Sequence, residues 1–268
     1  MRRKIFAPGA RGFTLVELMI AGAIAAAISG GAFAIYNAQQ ISYLREEQFT
    51  EAQQNIRAAM YFMEKDVRMA GYDPYGDPNG KILPGFIQAK IGSIGISHAN
   101  DNALATAQSA ATQTIIYALA DDPATGGYTG TGIAGGRPQN ALTKTTSLTQ
   151  STNGGPAQPI IDNVEAVEFL YHLRNGKSTT FTSPDPAATS EDLLNVLSVE
   201  VTLLVRSRNI IKGYTSPPLP CTPGQLLANP TCQPGAGWVP APDFSHYLHY
   251  MLTANMQCRN LVFREKVQ

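Results

Sequence analysis

The feature that most constrains this chain is an apolar run near its start. From Phe13 to Tyr36 there are 24 residues, and Glu17 is the only charged one among them. As a helix rising about 1.5 Å per residue the run spans roughly 36 Å, enough to cross a hydrocarbon core of about 30 Å. Arg2, Arg3, Lys4 and Arg11 precede it with no acid in the first 12 positions, and the first charges after it are Arg45, Glu46 and Glu47. That bias predicts a single pass, with a cytoplasmic N-terminus and everything beyond about residue 37 on the far side. A carboxylate is costly in lipid and usually marks a function. Glu17 is therefore the residue to explain.

A cleaved secretory signal is the competing reading, because Ala32 to Ala34 read "AFA", the small-x-small form that a signal peptidase cuts. It would leave Glu17 without a purpose, and the helical pattern runs unbroken across the supposed cut. A third reading has Glu17 merely snorkelling to the interface, one turn from the helix start. Gly22, Ala26 and Gly30 recur at i, i+4 and i+8, a stripe where a second helix backbone can approach closely. Chance in an Ala-rich anchor produces the same spacing. Gly30–Gly31 is where the helix is expected to loosen, each Gly costing roughly 1 kcal/mol relative to Ala.

From Asn37 the composition turns polar, yet the period persists. Ile41, Leu44, Ala52, Ile56, Ala59, Met63, Val67 and Ala70 follow helical spacing with Gln48 interrupting, and no Pro or Gly occurs between residues 32 and 70. One helix from about 13 to about 70 follows. Gly71 stops it, with Arg68 in the last turn and Pro74 beyond. Its apolar stripe needs a partner, most economically a β domain.

Strand signals supply that domain. In 164–174, Val167, Phe169, Tyr171 and Leu173 alternate with Glu168, Leu170, His172 and Arg174; in 197–206, Leu197 to Val205 alternate with Ser198 to Arg206. Each predicts a half-buried antiparallel strand. Near the end, Ala254, Met256 and Cys258 share one face, which makes Cys258 the expected unpaired core thiol. "TIIYALA" (114–120) is a fourth candidate and "GFIQAKIGSIGIS" (85–97) a poorer fifth. Residues 121–159, and 217–242 with eight of the 18 prolines, read as long loops, either binding surfaces or variable decoration.

Three cysteines cannot all pair within one chain. Cys221 and Cys232 bracket "CTPGQLLANPTC", and closing it stabilises by roughly 2–3 kcal/mol in an oxidising compartment. Two free thiols or a metal site are the alternatives, the latter without a CxxC or a nearby His pair. Without the four basic residues at the start, 16 basic stand against 20 acidic residues. That balance gives no electrostatic reason to expect nucleic-acid binding.

"RGFTLVELMIAGAIAAAI" (11–28) resembles the type IV prepilin signal: a short basic leader ending in Gly, then Phe, then Glu four residues on within an apolar segment. Gly12, Phe13 and Glu17 match it position for position. The resemblance implies cleavage by a prepilin peptidase between Gly12 and Phe13, N-methylation of Phe13, and retention of the helix as an anchor. It also implies a role for Glu17, pairing with the Phe13 ammonium of a neighbour when helices bundle. Neither charge is tolerable alone at low dielectric, so the pair rewards correct axial register. "NIRAAMYFMEKDVRMAGYDP" (55–74) is similar to PilW-type minor pilins and to the related J-type pseudopilins of type II secretion. Looser echoes lie in "IDNVEAVEFLYHLRN", "LSVEVTLLVRSRN" and "CRN".

No GxSxG, HExxH, GxxxxGK[ST] or strand-linked GxGxxG occurs. "TGTGIAGG" (129–136) lacks a βα setting for phosphate, and "DPYGDPNGK" (73–81) lacks the closing Glu of a calcium loop. His246 and His249 read as surface or packing residues. The expectation is a non-enzyme with no cofactor and no metal.

The expected architecture is α+β and type IV pilin-like: a long N-terminal helix packed on a C-terminal antiparallel β-sheet head. It divides into a basic leader (1–12), a membrane-spanning half (13–36), an amphipathic half (37–71) and a periplasmic or extracellular β-rich head (72–268). The implied function is a minor pilin acting in initiation of pilus assembly or at the tip. The implied partners are prepilin peptidase, other minor and major pilins, the inner-membrane assembly platform and, before assembly, membrane lipid. The implied location is the bacterial inner membrane and then the pilus. The alternatives are a type II secretion pseudopilin and a membrane-anchored periplasmic adhesin or enzyme.

Overall fold

A computed structural model describes residues 12–73, 84–99, 112–119, 148–152, 158–161, 163–181, 190–211, 213–234 and 245–262. The "DPYGDPNGK" stretch beyond Asp73 and all of 121–147, including "TGTGIAGG", lie outside these residues.

Helix α1 runs without a break over Leu15–Met69. It continues through Gly30–Gly31, where loosening was expected, and across Ala32–Ala34. At its far end Gly71 takes φ 69°, a left-handed value that Gly adopts without a Cβ penalty. The Gly71 N–H then donates to Ser97 O at 2.8 Å, and Asn260 Nδ2 donates to the Arg68 carbonyl at 3.1 Å. The second bond satisfies a carbonyl that a helix end otherwise leaves bare, and the first ties the helix stop to Ser97.

The chain divides into two compact units between Glu47 and Gln48. The first is the leading part of α1, exposed throughout its apolar surface: Phe13, Leu15, Leu18, Met19, Ile28 and Phe33 are each at least two-thirds open to solvent. Ile41 and Leu44, expected on the inward stripe, are exposed too. The second unit begins with the rest of α1, whose buried face is Ala52, Ile56, Ala59, Met60, Met63 and Val67. The amphipathic stripe thus finds its partner about 15 residues later than the change in composition at Asn37.

The head is antiparallel as expected, with two sheets among the described residues. The first has the order β1 (Phe86–Ala89), β2 (Ser93–Ala99), β3 (Thr112–Leu119), β4 (Leu148–Thr152), β5 (Gln158–Ile161). The second runs β7 (Ser178–Thr179), β6 (Val164–Leu173), β8 (Val196–Arg206), β9 (His249–Gln257). Short helices α2 (Ser190–Leu194), α3 (Pro223–Ala228) and α4 (Arg259–Val262) decorate the connections. One hydrophobic core joins the α1 face to both sheets through Phe86, Ile96, Tyr117, Phe169, Tyr171, Val201 and Leu203.

Polar bonds fix the layers at their seams. The Tyr171 hydroxyl accepts from Lys90 N at 3.1 Å and donates to Lys90 O at 3.0 Å, while Phe169 N donates to Ile91 O at 2.9 Å. These bonds clamp the β1–β2 turn onto β6. Burial raises the Tyr171 pKa well above its ordinary value, and the Lys90 bond works against that rise. The Tyr117 hydroxyl donates to Asp66, tying β3 to α1. Burial raises the Asp66 pKa, and the Tyr117 bond works against that shift.

Strand β6 departs from expectation. Its alternation predicts one solvated face, but Ala166, Glu168 and Leu170 are buried as well as Val167, Phe169 and Tyr171. The covering comes from 50 residues downstream. Leu219 packs with Ala166, Leu204 and Met251, and α3 lies against the strand beside Glu168. Cys258 follows β9 directly, and it is a free thiol with no exposed surface.

Candidate functional site

The N-terminal end of α1 is where the sequence concentrates its chemistry. Thr14 is the residue before the helix, and its Oγ1 accepts from Glu17 N at 3.2 Å. In return Glu17 Oε2 accepts from Thr14 N at 3.1 Å and from Thr14 Oγ1 at 3.1 Å. This is a capping box: the residue three places into the helix reaches back to the cap, and two orphan N–H groups are satisfied reciprocally. The motif [ST]-x-x-[DE] ahead of an apolar run is legible in "TLVE" (14–17). The reading of Glu17 as an isolated charge passed over it. Glu17 also places negative charge in the first turn, where the helix dipole favours it.

Both local bonds fall on Oε2. Among the described residues none bonds to Glu17 Oε1, so the carboxylate keeps acceptor capacity while it caps its own helix. Phe13 is 89% exposed beside it. Gly22 and Gly30 have no neighbouring heavy atom within 4 Å of where a Cβ would stand, so the Gly22, Ala26, Gly30 stripe faces open space. An apolar helical surface this bare, in a unit with no buried residue among those described, needs lipid or other helices around it.

In the head, Cys221 and Cys232 are joined by a disulfide. Within the closed loop Thr222 caps α3 through a second box. Gln225 N donates to Thr222 Oγ1 at 3.2 Å and Thr222 N donates to Gln225 Oε1 at 3.0 Å. Glu168 completes the arrangement from β6. Its carboxylate accepts from Thr222 Oγ1 at 2.8 Å and from Gly224 N at 2.8 Å. The pKa of Glu168 is raised, chiefly by burial and also by the nearby charge of Glu200; the two hydrogen bonds oppose the rise. The stretch read as an irregular loop is a capped, bridged element pinned to a buried acid.

His249 is likewise more enclosed than a surface residue. Its side chain is wholly buried, with Nδ1 2.9 Å from Ser216 Oγ and Nε2 3.2 Å from Glu165 Oε2. Arg206 Nε lies 3.5 Å from the other Glu165 oxygen, and its guanidinium stacks over the Tyr247 ring at 4.5 Å. His246 Nδ1 sits 2.7 Å from Tyr214 O. These contacts pin the 214–216 segment to β9, a packing role. Among the described residues no group of three His, Cys, Asp or Glu side chains is placed to hold a metal ion.

The chain matches two family models: type IV pilus-assembly protein W over residues 124–260, and the prokaryotic N-terminal methylation motif over residues 8–33. Among solved structures it is similar to a type IV-like pilin from Thermus thermophilus. The two are 14% identical with a TM-score of 0.41, over 78% of this chain and 97% of the other. No curated protein matches it.

Proposed function

Since the chain belongs to the type IV pilus-assembly protein W family and carries the N-terminal methylation motif of pilins, we propose that it is a minor pilin that primes pilus assembly or occupies the tip. Prepilin peptidase cuts between Gly12 and Phe13, and the new amine of Phe13 is methylated. The leading part of α1 then anchors the chain in the inner membrane with its head in the periplasm. During assembly that helix leaves lipid for the bundle of neighbouring pilin helices, drawn on by the inner-membrane platform.

The observation that carries this reading is the first turn of α1. Glu17 holds its own helix start through Oε2 and leaves Oε1 for a donor from outside. The ammonium of a neighbour's Phe13 is a donor of the right charge for that oxygen. Within a dry bundle the pair is worth more as a selector of register than as net stability, because a misplaced subunit strands two buried charges. The Gly22, Ala26, Gly30 stripe would admit the adjoining backbone.

Intact-mass analysis of the chain purified from membranes tests the processing step. The mature polypeptide is expected to start at an N-methylated Phe13. A chain beginning at Ile35, after the "AFA" site, would instead identify a secreted soluble protein.

A further inference from the structure

Among the described residues the two sheets end in four edges, and three of them are blunted. Strand β1 is four residues long, β5 is four residues long and contains Pro159, and β7 is two residues long. Soluble proteins protect edges in these ways because unpaired N–H and C=O groups recruit other strands. Strand β9 has none of that protection. It runs nine residues, "HYMLTANMQ", with no Pro, Asp, Glu, Lys or Arg. No described strand lies beyond it.

The register shows which backbone groups are left over. Cys258 N donates to Leu197 O and Ser207 N donates to Leu248 O, so the even-numbered residues of β9 exchange bonds with β8. The N–H and C=O groups of Met251, Thr253, Asn255 and Gln257 therefore point away from the sheet. None of these four has a backbone bond to another described group. The core is also unfinished here. Tyr250, Leu252 and Ala254 pack against it yet stay only partly buried, and Tyr250 meets Phe49 of α1 edge-to-face at 5.6 Å.

We infer that β9 is a strand-addition site, taking an extended, uncharged segment of another pilin subunit. Four outward N–H and four outward C=O groups supply the pairing. Alternate apolar side chains of the incoming segment extend the row begun by Tyr250, Leu252 and Ala254, and polar ones lie beside Thr253 and Asn255. A charged segment is disfavoured, since β9 offers no counter-ion between Tyr250 and Gln257. A second copy is disfavoured too. Identical edges pair about a two-fold axis, whereas subunits of a filament share one polarity. This inference rests on the minor pilin reading.

Residue-resolved amide exchange of the full chain, first alone in detergent micelles and then in sheared filaments, is the test. Alone, the Met251, Thr253, Asn255 and Gln257 amides exchange fast while Leu252 and Ala254 are protected; on assembly the first four slow at least a hundredfold. Asn255→Pro removes one outward donor and no β8 bond. It should keep protection at Leu252 and lower recovery of the chain in filaments at least tenfold. Fast exchange at the four amides within filaments overturns the inference and leaves the pilin reading intact. So does protection already present in the lone chain, where concentration dependence would assign the edge to a second copy and its absence to the chain's own segments. A processed chain that never enters filaments sinks the pilin reading and this inference together.

Discussion

Replacing Glu168 separates the two things its carboxylate does. In Glu168→Ala the Thr222 hydroxyl and the Gly224 N–H lose acceptors at 2.8 Å each, inside a buried seam. A buried donor left unsatisfied costs about 1–3 kcal/mol, and the lost desolvation penalty of the charge returns part of that. The net expectation is about 2–4 kcal/mol of destabilisation at neutral pH. Glu168→Gln behaves differently. Its amide oxygen can still accept from Gly224, its NH₂ can donate to the Thr222 oxygen, and no charge is buried, so the change is within about 1 kcal/mol. The pH dependence follows from the raised pKa of Glu168. A carboxyl easier to protonate when folded than when unfolded favours the fold most below its unfolded pKa. That advantage is lost as pH rises through the folded value. Wild type should therefore show a downward slope of stability across that window that Glu168→Gln lacks. Urea unfolding of the detergent-solubilised chain, followed by near-ultraviolet circular dichroism at several pH values, measures both effects. An Ala variant within about 0.5 kcal/mol of wild type would show that the bridged loop does not depend on this acid.

Two predictions concern the cysteines. Breaking the bridge with Cys221→Ser and Cys232→Ser together frees a loop whose ends are 11 positions apart. Loop-closure entropy puts the loss near 3 kcal/mol as an upper value, read as a fall in the urea midpoint. A shift of less than about 0.5 kcal/mol would mean that Glu168 and the Leu219 contacts hold the loop unaided. For Cys258, burial pushes the thiol pKa up to about 12, so its thiolate fraction at pH 8 is roughly a thousandfold below that of an ordinary thiol. Iodoacetamide should leave the native chain unmodified for hours and add one group promptly in denaturant; rapid native labelling would contradict its enclosure.

How much of this was legible depends on the range of the interaction that decides each feature. Helix α1 is written locally, in 3.6-residue spacing and a Gly stop, and the structure places its ends at Leu15 and Met69. Strands β6 and β8 are equally plain from period-two alternation. Strand β4, "LTQST", carries no apolar alternation and exists because it pairs with β3, so nothing local announces it. The second face of β6 was unreadable for the same reason. Glu168 looks solvent-facing until a bridged segment over 50 residues later covers it. The 85–97 stretch was a poor strand because it is two, β1 and β2, with the turn between them held by Tyr171. At the N-terminal site the residues were all visible, and Thr14 was the one passed over, although its spacing to Glu17 is a standard cap signal.

Incorporation into the filament depends on whether Glu17 takes an intersubunit partner. The direct measurement is the amount of chain recovered in sheared filaments for Glu17→Ala relative to wild type, at matched membrane levels and with processing at Gly12/Phe13 checked by mass. Intersubunit pairing at Glu17 predicts a processed protein that stays in the membrane, with recovery in filaments reduced at least tenfold. Wild-type recovery would mean that the carboxylate serves only the first turn of its own helix, and the proposed register pairing would be wrong.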